Sequence, residues 1–206
     1  MSERWLWTQK EDIGPSPRYG HAMAYEAARQ RVVLVGGGSG GSSALLNDTW
    51  GWDGVAWSQV ADMGPPPRSS HTIVFDSSRE CLVLFGGGWQ AVGQSGIWLS
   101  DTWEWNEDAG WVKRQDIGPR SMANPRMAQT EAHTVLFGFT GVTSGAGQTW
   151  EWNDNLWTQR QNMGPPRRTA YNLAYDSQRD RVVLFGGWGV GGLALGDTWE
   201  LAIIEQ

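Results

Sequence analysis

Two histidines open alternating stretches at related places, His21-Ala-Met-Ala-Tyr25 and His71-Thr-Ile-Val-Phe75. Imidazoles brought together by a repeating fold could share a metal ion. A metal site needs three or four ligands with hydrogen-bonded support behind them. The matching positions later in the chain are Ala123 and Tyr171, which add only a phenol. His21, His71 and Tyr171 therefore stand as candidate ligand contacts, and no metal or other cofactor is expected. Four arginines, Arg18, Arg68, Arg120 and Arg168, also recur. They admit two readings: braces that bond carbonyls or a neighbouring blade's carboxylate, or a positive mouth that attracts an anion. Three tryptophans, Trp89, Trp98 and Trp188, fall outside the recurring phrases, in segments of variable length. A flat indole there suits the apolar face of a sugar ring or a partner's hot spot. Cys81, the single cysteine, lies in the apolar run Cys81-Leu-Val-Leu-Phe85 and reads as a buried thiol. The chain has no Ser/Cys–His–Asp grouping, phosphate loop or Cys/His cluster, so no catalytic residue is assigned.

The elements that must position these residues follow from an internal repeat. Trp7, Trp57, Trp111 and Trp157 are spaced by 50, 54 and 46 residues. Three of them lead into one phrase, Gly14-Pro-Ser-Pro-Arg18, Gly64-Pro-Pro-Pro-Arg68 and Gly164-Pro-Pro-Arg-Arg168. Apolar runs ending in a glycine pair follow, at Gly36-Gly37, Gly86-Gly87 and Gly186-Gly187. Each copy then reaches a Thr-Trp segment: Asp48-Thr-Trp-Gly-Trp52, Asp101-Thr-Trp-Glu-Trp105, Gln148-Thr-Trp-Glu-Trp152 and Asp197-Thr-Trp-Glu-Leu201. The third copy is degenerate. It lacks two residues before Arg120, reads Ala123 where histidine stood, and carries Pro125 inside a predicted strand.

Each copy reads as four strands: an alternating one, a continuous apolar one, the Thr-Trp strand, and one opened by the recurring tryptophan. Pro125 fits if the first strand is an edge strand at a central channel, because an edge N–H has no ladder partner to lose. No helical period appears. The expectation is an all-β propeller of four blades, each of four antiparallel strands, in a single domain of residues 1–206. Blade 1 would span 18–62, blade 2 68–116, blade 3 120–162, and blade 4 168–203 plus the strand 5–11. The lone fourth strand at Trp5–Gln9 and the missing fourth strand after Trp199 predict a ring closed by the first strand. A monomer is the expected form, with a dimer that completes blades across two chains as the alternative.

Composition bounds the partners. The 206 residues suffice for a sizeable core. With 16 basic and 22 acidic residues the net charge is −6, and no basic cluster offers a nucleic-acid surface. No run approaches the roughly 20 apolar residues of a membrane helix, and no apolar leader follows Met1, so a soluble, cytoplasmic protein without a membrane partner is expected.

The Pro-Arg phrase, the glycine pair after an apolar strand and the tryptophan opening the fourth strand resemble the kelch family, bacterial-type kelch arrays most of all. The resemblance covers essentially the whole chain and departs from the family in having four copies where six or seven are usual. It implies a propeller but little chemistry, since propellers host scaffolds, lectin-like binders and enzymes. The expected function is a non-catalytic binding module acting through the variable loops and the channel mouth. Its partner would be a protein, or alternatively a sugar or small anion. An enzyme with its site at the channel is the remaining alternative.

Overall fold

The computed structural model describes residues 5–10, 13–40, 44–89, 97–115, 118–140 and 147–203. Four small antiparallel sheets are arranged as a four-bladed β-propeller. Blade 1 comprises Ala22–Glu26, Arg31–Ser39, Leu45–Trp52 and Trp57–Ala61, and blade 2 Thr72–Asp76, Cys81–Phe85, Thr102–Asn106 and Gly110–Gln115. Blade 3 comprises Met122–Gln129, Thr134–Thr140, Gln148–Asn153 and Leu156–Gln161, and blade 4 Asn172–Asp176, Arg181–Phe185 and Thr198–Ala202. Among the described residues no helix is long and apolar enough to cross a membrane.

Local chemistry sets these elements. Asp76 Oδ1 accepts hydrogen bonds from the backbone N–H of Ser78 and Arg79 at 3.0 and 3.1 Å, which closes the turn between the first two strands. Asp176 does the same for Gln178 and Arg179. The second strand of blade 2, Cys81–Phe85, is buried at all five positions because neighbouring blades cover both faces. At its end Gly87 has φ 95°, and a Cβ there would sit 2.8 Å from the Ser69 carbonyl oxygen, so only glycine fits. Blade 3 has Gly138-Phe139 at this place. Its second strand runs on to Thr140, and Phe139 is buried against Phe137 and Tyr171. Pro125 sits on the edge strand of its sheet, at a bulge between Ala123 and Arg126.

The core lies between blades. In blade 2 Ile73, Leu82, Leu84 and Trp105 pack on Val33 and Val35 of blade 1, while Val74, Val83 and Phe85 pack on Met127, Leu136, Trp152 and Trp157 of blade 3. In blades 2 and 3 the Thr-Trp strand thus turns its indoles toward the preceding blade. Trp111 Nε1–H donates to Thr49 Oγ1 at 2.9 Å and Trp157 Nε1–H to Thr102 Oγ1 at 2.7 Å, so a hydrogen bond pins each of these two joints.

The last blade differs from the expectation of four strands. Thr198–Ala202 has Arg181–Phe185 as its only strand neighbour among the described residues, and residues 5–10 form no strand. Trp5 and Trp7 are 92% and 101% exposed. First strands of successive blades pack together from blade 1 to blade 4, but no comparable packing joins Asn172–Asp176 back to Ala22–Glu26. Among the described residues the propeller is therefore an open arc.

Candidate functional site

Three of the four recurring arginines are locked into one arrangement. Arg68 holds Asp101 with two bonds of 2.7 and 2.8 Å, and also donates to the carbonyls of Gly86 at 2.8 Å and Pro66 at 3.0 Å. Trp103 Nε1–H bonds the same Asp101 at 2.7 Å. Arg18 repeats the pattern on Asp48, Gly36 and Ser16, and Arg168 on Asp197, Gly186 and Pro166. The Pro-rich phrase before each arginine supplies the carbonyl, and the residue before each Thr-Trp supplies the acid. All three side chains are buried, at 3%, 1% and 1% exposure, with nearly every N–H used. Burial pulls the Asp101 carboxyl upward, but the Arg68 bonds more than offset this and hold it below the usual range; Asp48 is held down by Arg18 in the same way. Of the two readings open to the four arginines, Arg18, Arg68 and Arg168 take the brace. Each bonds its own blade's aspartate rather than a neighbour's.

Blade 3 breaks the pattern. Gln148 replaces the aspartate, and its Oε1 accepts the Trp150 indole N–H at 3.1 Å. Arg120 is exposed and has no hydrogen-bond or ion-pair partner among the described residues. A cavity of about 390 Å³ opens there, lined by Gly118, Arg120, Thr140, Gln148, Trp150 and Gln159. An unpaired guanidinium beside two amides, a hydroxyl and an indole can take a carboxylate by the same two-bond geometry that its siblings use internally. The aspartates were the functional partners missed in the sequence. Their signal was present: the copy that lost two residues before its arginine is also the copy that lost its acid.

The histidines and Tyr171 lie inside the first-strand layer. His71 is 4% exposed, and no hydrogen bond of normal geometry reaches either ring nitrogen. Burial first, then the nearby Arg68 charge, lowers its pKa to about 3, so the ring is neutral at physiological pH. His21 is lowered by burial and by Arg18. Tyr171, at the matching place in blade 4, is 1% exposed and its hydroxyl donates to the carbonyls of Asn124 and Phe137 at 3.1 Å each. Among the described residues no three His, Cys, Asp or Glu side chains group as metal ligands. Cys81 is buried, and burial pushes its thiol up to about 12.

Two of the loop tryptophans are open to solvent, Trp98 at 40% and Trp188 at 53%. Ile97–Trp98 pairs with Gly88–Trp89, and Trp188–Gly189 pairs with Arg168–Thr169. The side chain of Trp89 and most of the intervening loop, residues 90–96, lie outside the described residues, as do 41–43 and 141–146 of the other loops. Sequence reasoning also passed over His133, which bonds Glu151 next to Arg160 on the outer edge of blade 3. Burial raises the Glu151 carboxyl, and Arg160 with His133 more than reverses this. The chain matches no protein-family model and no curated protein.

Proposed function

We propose that the chain is a kelch-type propeller that acts as a non-catalytic binding module, its last blade completed by Trp5–Gln9, and that its ligand is a carboxylate-bearing molecule or acidic peptide held at Arg120. One observation carries the binding reading. The three other arginines at this position are buried on an internal aspartate, whereas Arg120 faces a cavity with glutamine where the acid would be. The exposed Trp98 and Trp188 belong to segments that follow glycine pairs, and they support a second reading in which an indole stacks on a sugar or peptide ring.

Calorimetric titration with succinate, citrate, a Glu-rich peptide and a panel of neutral oligosaccharides tests both readings. Binding of the carboxylates that is lost in Arg120→Gln and kept in Trp98→Ala/Trp188→Ala supports the first. Binding of neutral sugars alone, lost with the two tryptophans, supports the second and sinks the first.

A further inference from the structure

One cavity departs from the way the blades are joined. The tryptophan that opens each fourth strand lies on a glycine: a Cβ on Gly14, Gly64 or Gly118 would fall 2.7, 2.6 or 2.7 Å from the ring of Trp57, Trp111 or Trp157. Trp157 also meets Phe85 edge-on at 5.4 Å and bonds Thr102. Among the described residues no indole lies against Gly164; its nearest side chain is Phe137, 3.6 Å from the same Cβ position. Instead a cavity of about 210 Å³ opens there, lined by Phe137, Thr149, Gly164, Leu184 and Trp199. Phe137, Thr149 and Gly164 are the counterparts of Phe85, Thr102 and Gly118. A second hollow of about 330 Å³, bordered by Glu151, Arg160 and Leu201, continues along the open edge of Thr198–Ala202.

The chain holds a tryptophan of the right kind. Trp7 precedes Gly14 by seven residues, as Trp57 precedes Gly64, Trp111 Gly118 and Trp157 Gly164. Lys10 follows Trp7 by three, as Arg114 follows Trp111 and Arg160 follows Trp157. Those arginines reach Glu104 and Glu151 of their own blades at 2.8 and 2.5 Å, and Glu200 is the counterpart in blade 4. Charge and shape therefore both match Trp5–Gln9 and its following lysine to this edge.

The open arc bears on which copy supplies the segment. Blade 1 turns Met23 and Tyr25 outward at 49% and 57% exposure, with Trp52 and Trp57 partly exposed beside them. Blade 4 turns out Phe185 at 60%, with Thr198 and Glu200 also exposed. These are the two halves of one blade joint. Set together, Glu200 would accept the Trp52 indole N–H as Glu104 accepts that of Trp152 at 2.8 Å, and Phe185 would meet Trp57 as Phe85 meets Trp157. Within this arc the two faces stay apart, but a second copy presents a blade 1 face and a Trp5–Gln9 segment together.

We propose that two copies of this chain join head to tail into one ring, each lending Trp5–Gln9 as the fourth strand of the other's blade 4, with Trp7 in the cavity beside Gly164. The proposal rests on the reading that this segment completes the blade. Thr158 stands opposite Glu151, which places Thr8 opposite Glu200. Mild oxidation of Thr8→Cys/Glu200→Cys should give a covalent species of twice the 22.8 kDa chain on a non-reducing denaturing gel. A cross-link confined to one chain overturns the second copy and keeps the blade completion; no cross-link overturns both. Light scattering of the unmodified protein should show the doubled mass, and Trp7→Ala should return it to 22.8 kDa with its β-sheet circular dichroism unchanged. A single-chain or larger-than-two particle before substitution, or a dimer indifferent to Trp7→Ala, overturns the proposal.

Discussion

Blade 2 and blade 4 are written in nearly the same residues and live in opposite surroundings. Phe85 is 0% exposed and Phe185 60%. Thr102 is buried under the Trp157 indole, while Thr198 is exposed. Arg79 bonds Asp76 and Glu104 where the next blade covers them, and Arg179 bonds Asp176 and Glu200 in the open. The turn between the first two strands and their register are the same in both blades. In a repeat array a unit's fold is local, but its share of the core belongs to the neighbour. Blade 3 supplies the converse: it has neighbours on both sides, yet differs because its own sequence changed.

The largest test of this contrast removes the same ring from both blades. Phe85→Ala should cost about 3–5 kcal/mol in urea unfolding, the range for emptying a packed aromatic site. Phe185→Ala, made on a Trp7→Ala background that keeps the end face open, should cost under about 1 kcal/mol, since little area is lost from contact. Equal costs would show that blade 4 is already covered and would break the comparison.

Legibility followed the same division. The paired strands of the blades could be read from the recurring phrases and the apolar run at Cys81, because these depend on residues close in sequence. The fourth strand of the last blade could not be settled that way. Trp5–Gln9 has the local marks of a strand yet forms none in this structure, because a strand also needs an edge to pair with, and no local pattern states one. The site was half visible. Arg120 stood out as one of four alike, while its difference lay 28 residues on at Gln148, in a partner that became apparent only when Arg68 and Asp101 were seen to bond.

A smaller effect separates the two blades through pH. His71 in blade 2 is buried and neutral, with its pKa lowered to about 3 from 6.5, while blade 4 has Tyr171 at that place with its hydroxyl bonded. The folded state resists the proton that the unfolded chain accepts. Stability should be full above about pH 6.5 and fall as pH drops toward 3, by about 2 kcal/mol at pH 5. Arg68 and His21 act on the ring with like charge and reinforce the direction. His71→Tyr, which copies blade 4, should flatten urea midpoints between pH 7 and 5. An unchanged slope would assign the loss to other groups.

The smallest expected effect asks whether blade 3 can be returned to the common pattern. Gln148→Asp restores the acid that precedes each Thr-Trp elsewhere. If the glutamine alone keeps Arg120 free, the new carboxylate should draw the guanidinium in and accept the Trp150 N–H as Asp101 accepts that of Trp103. Arg120 begins exposed, so the gain should be modest, about 0.5–1 kcal/mol, or about 2–4 °C in melting temperature per kcal/mol. Binding should respond far more than stability, because an internal carboxylate would occupy the place assigned to the ligand's. Loss of succinate and citrate binding with a small rise in melting temperature would make Arg120 one more brace of the Arg68 kind, freed by a single change of acid to amide. A variant that still binds carboxylates and melts unchanged would trace the freedom of Arg120 to the two residues missing before it. Blade 3 would then differ from blade 2 through its backbone path, and the acid would have been lost because the shortened segment had already moved the arginine out of reach.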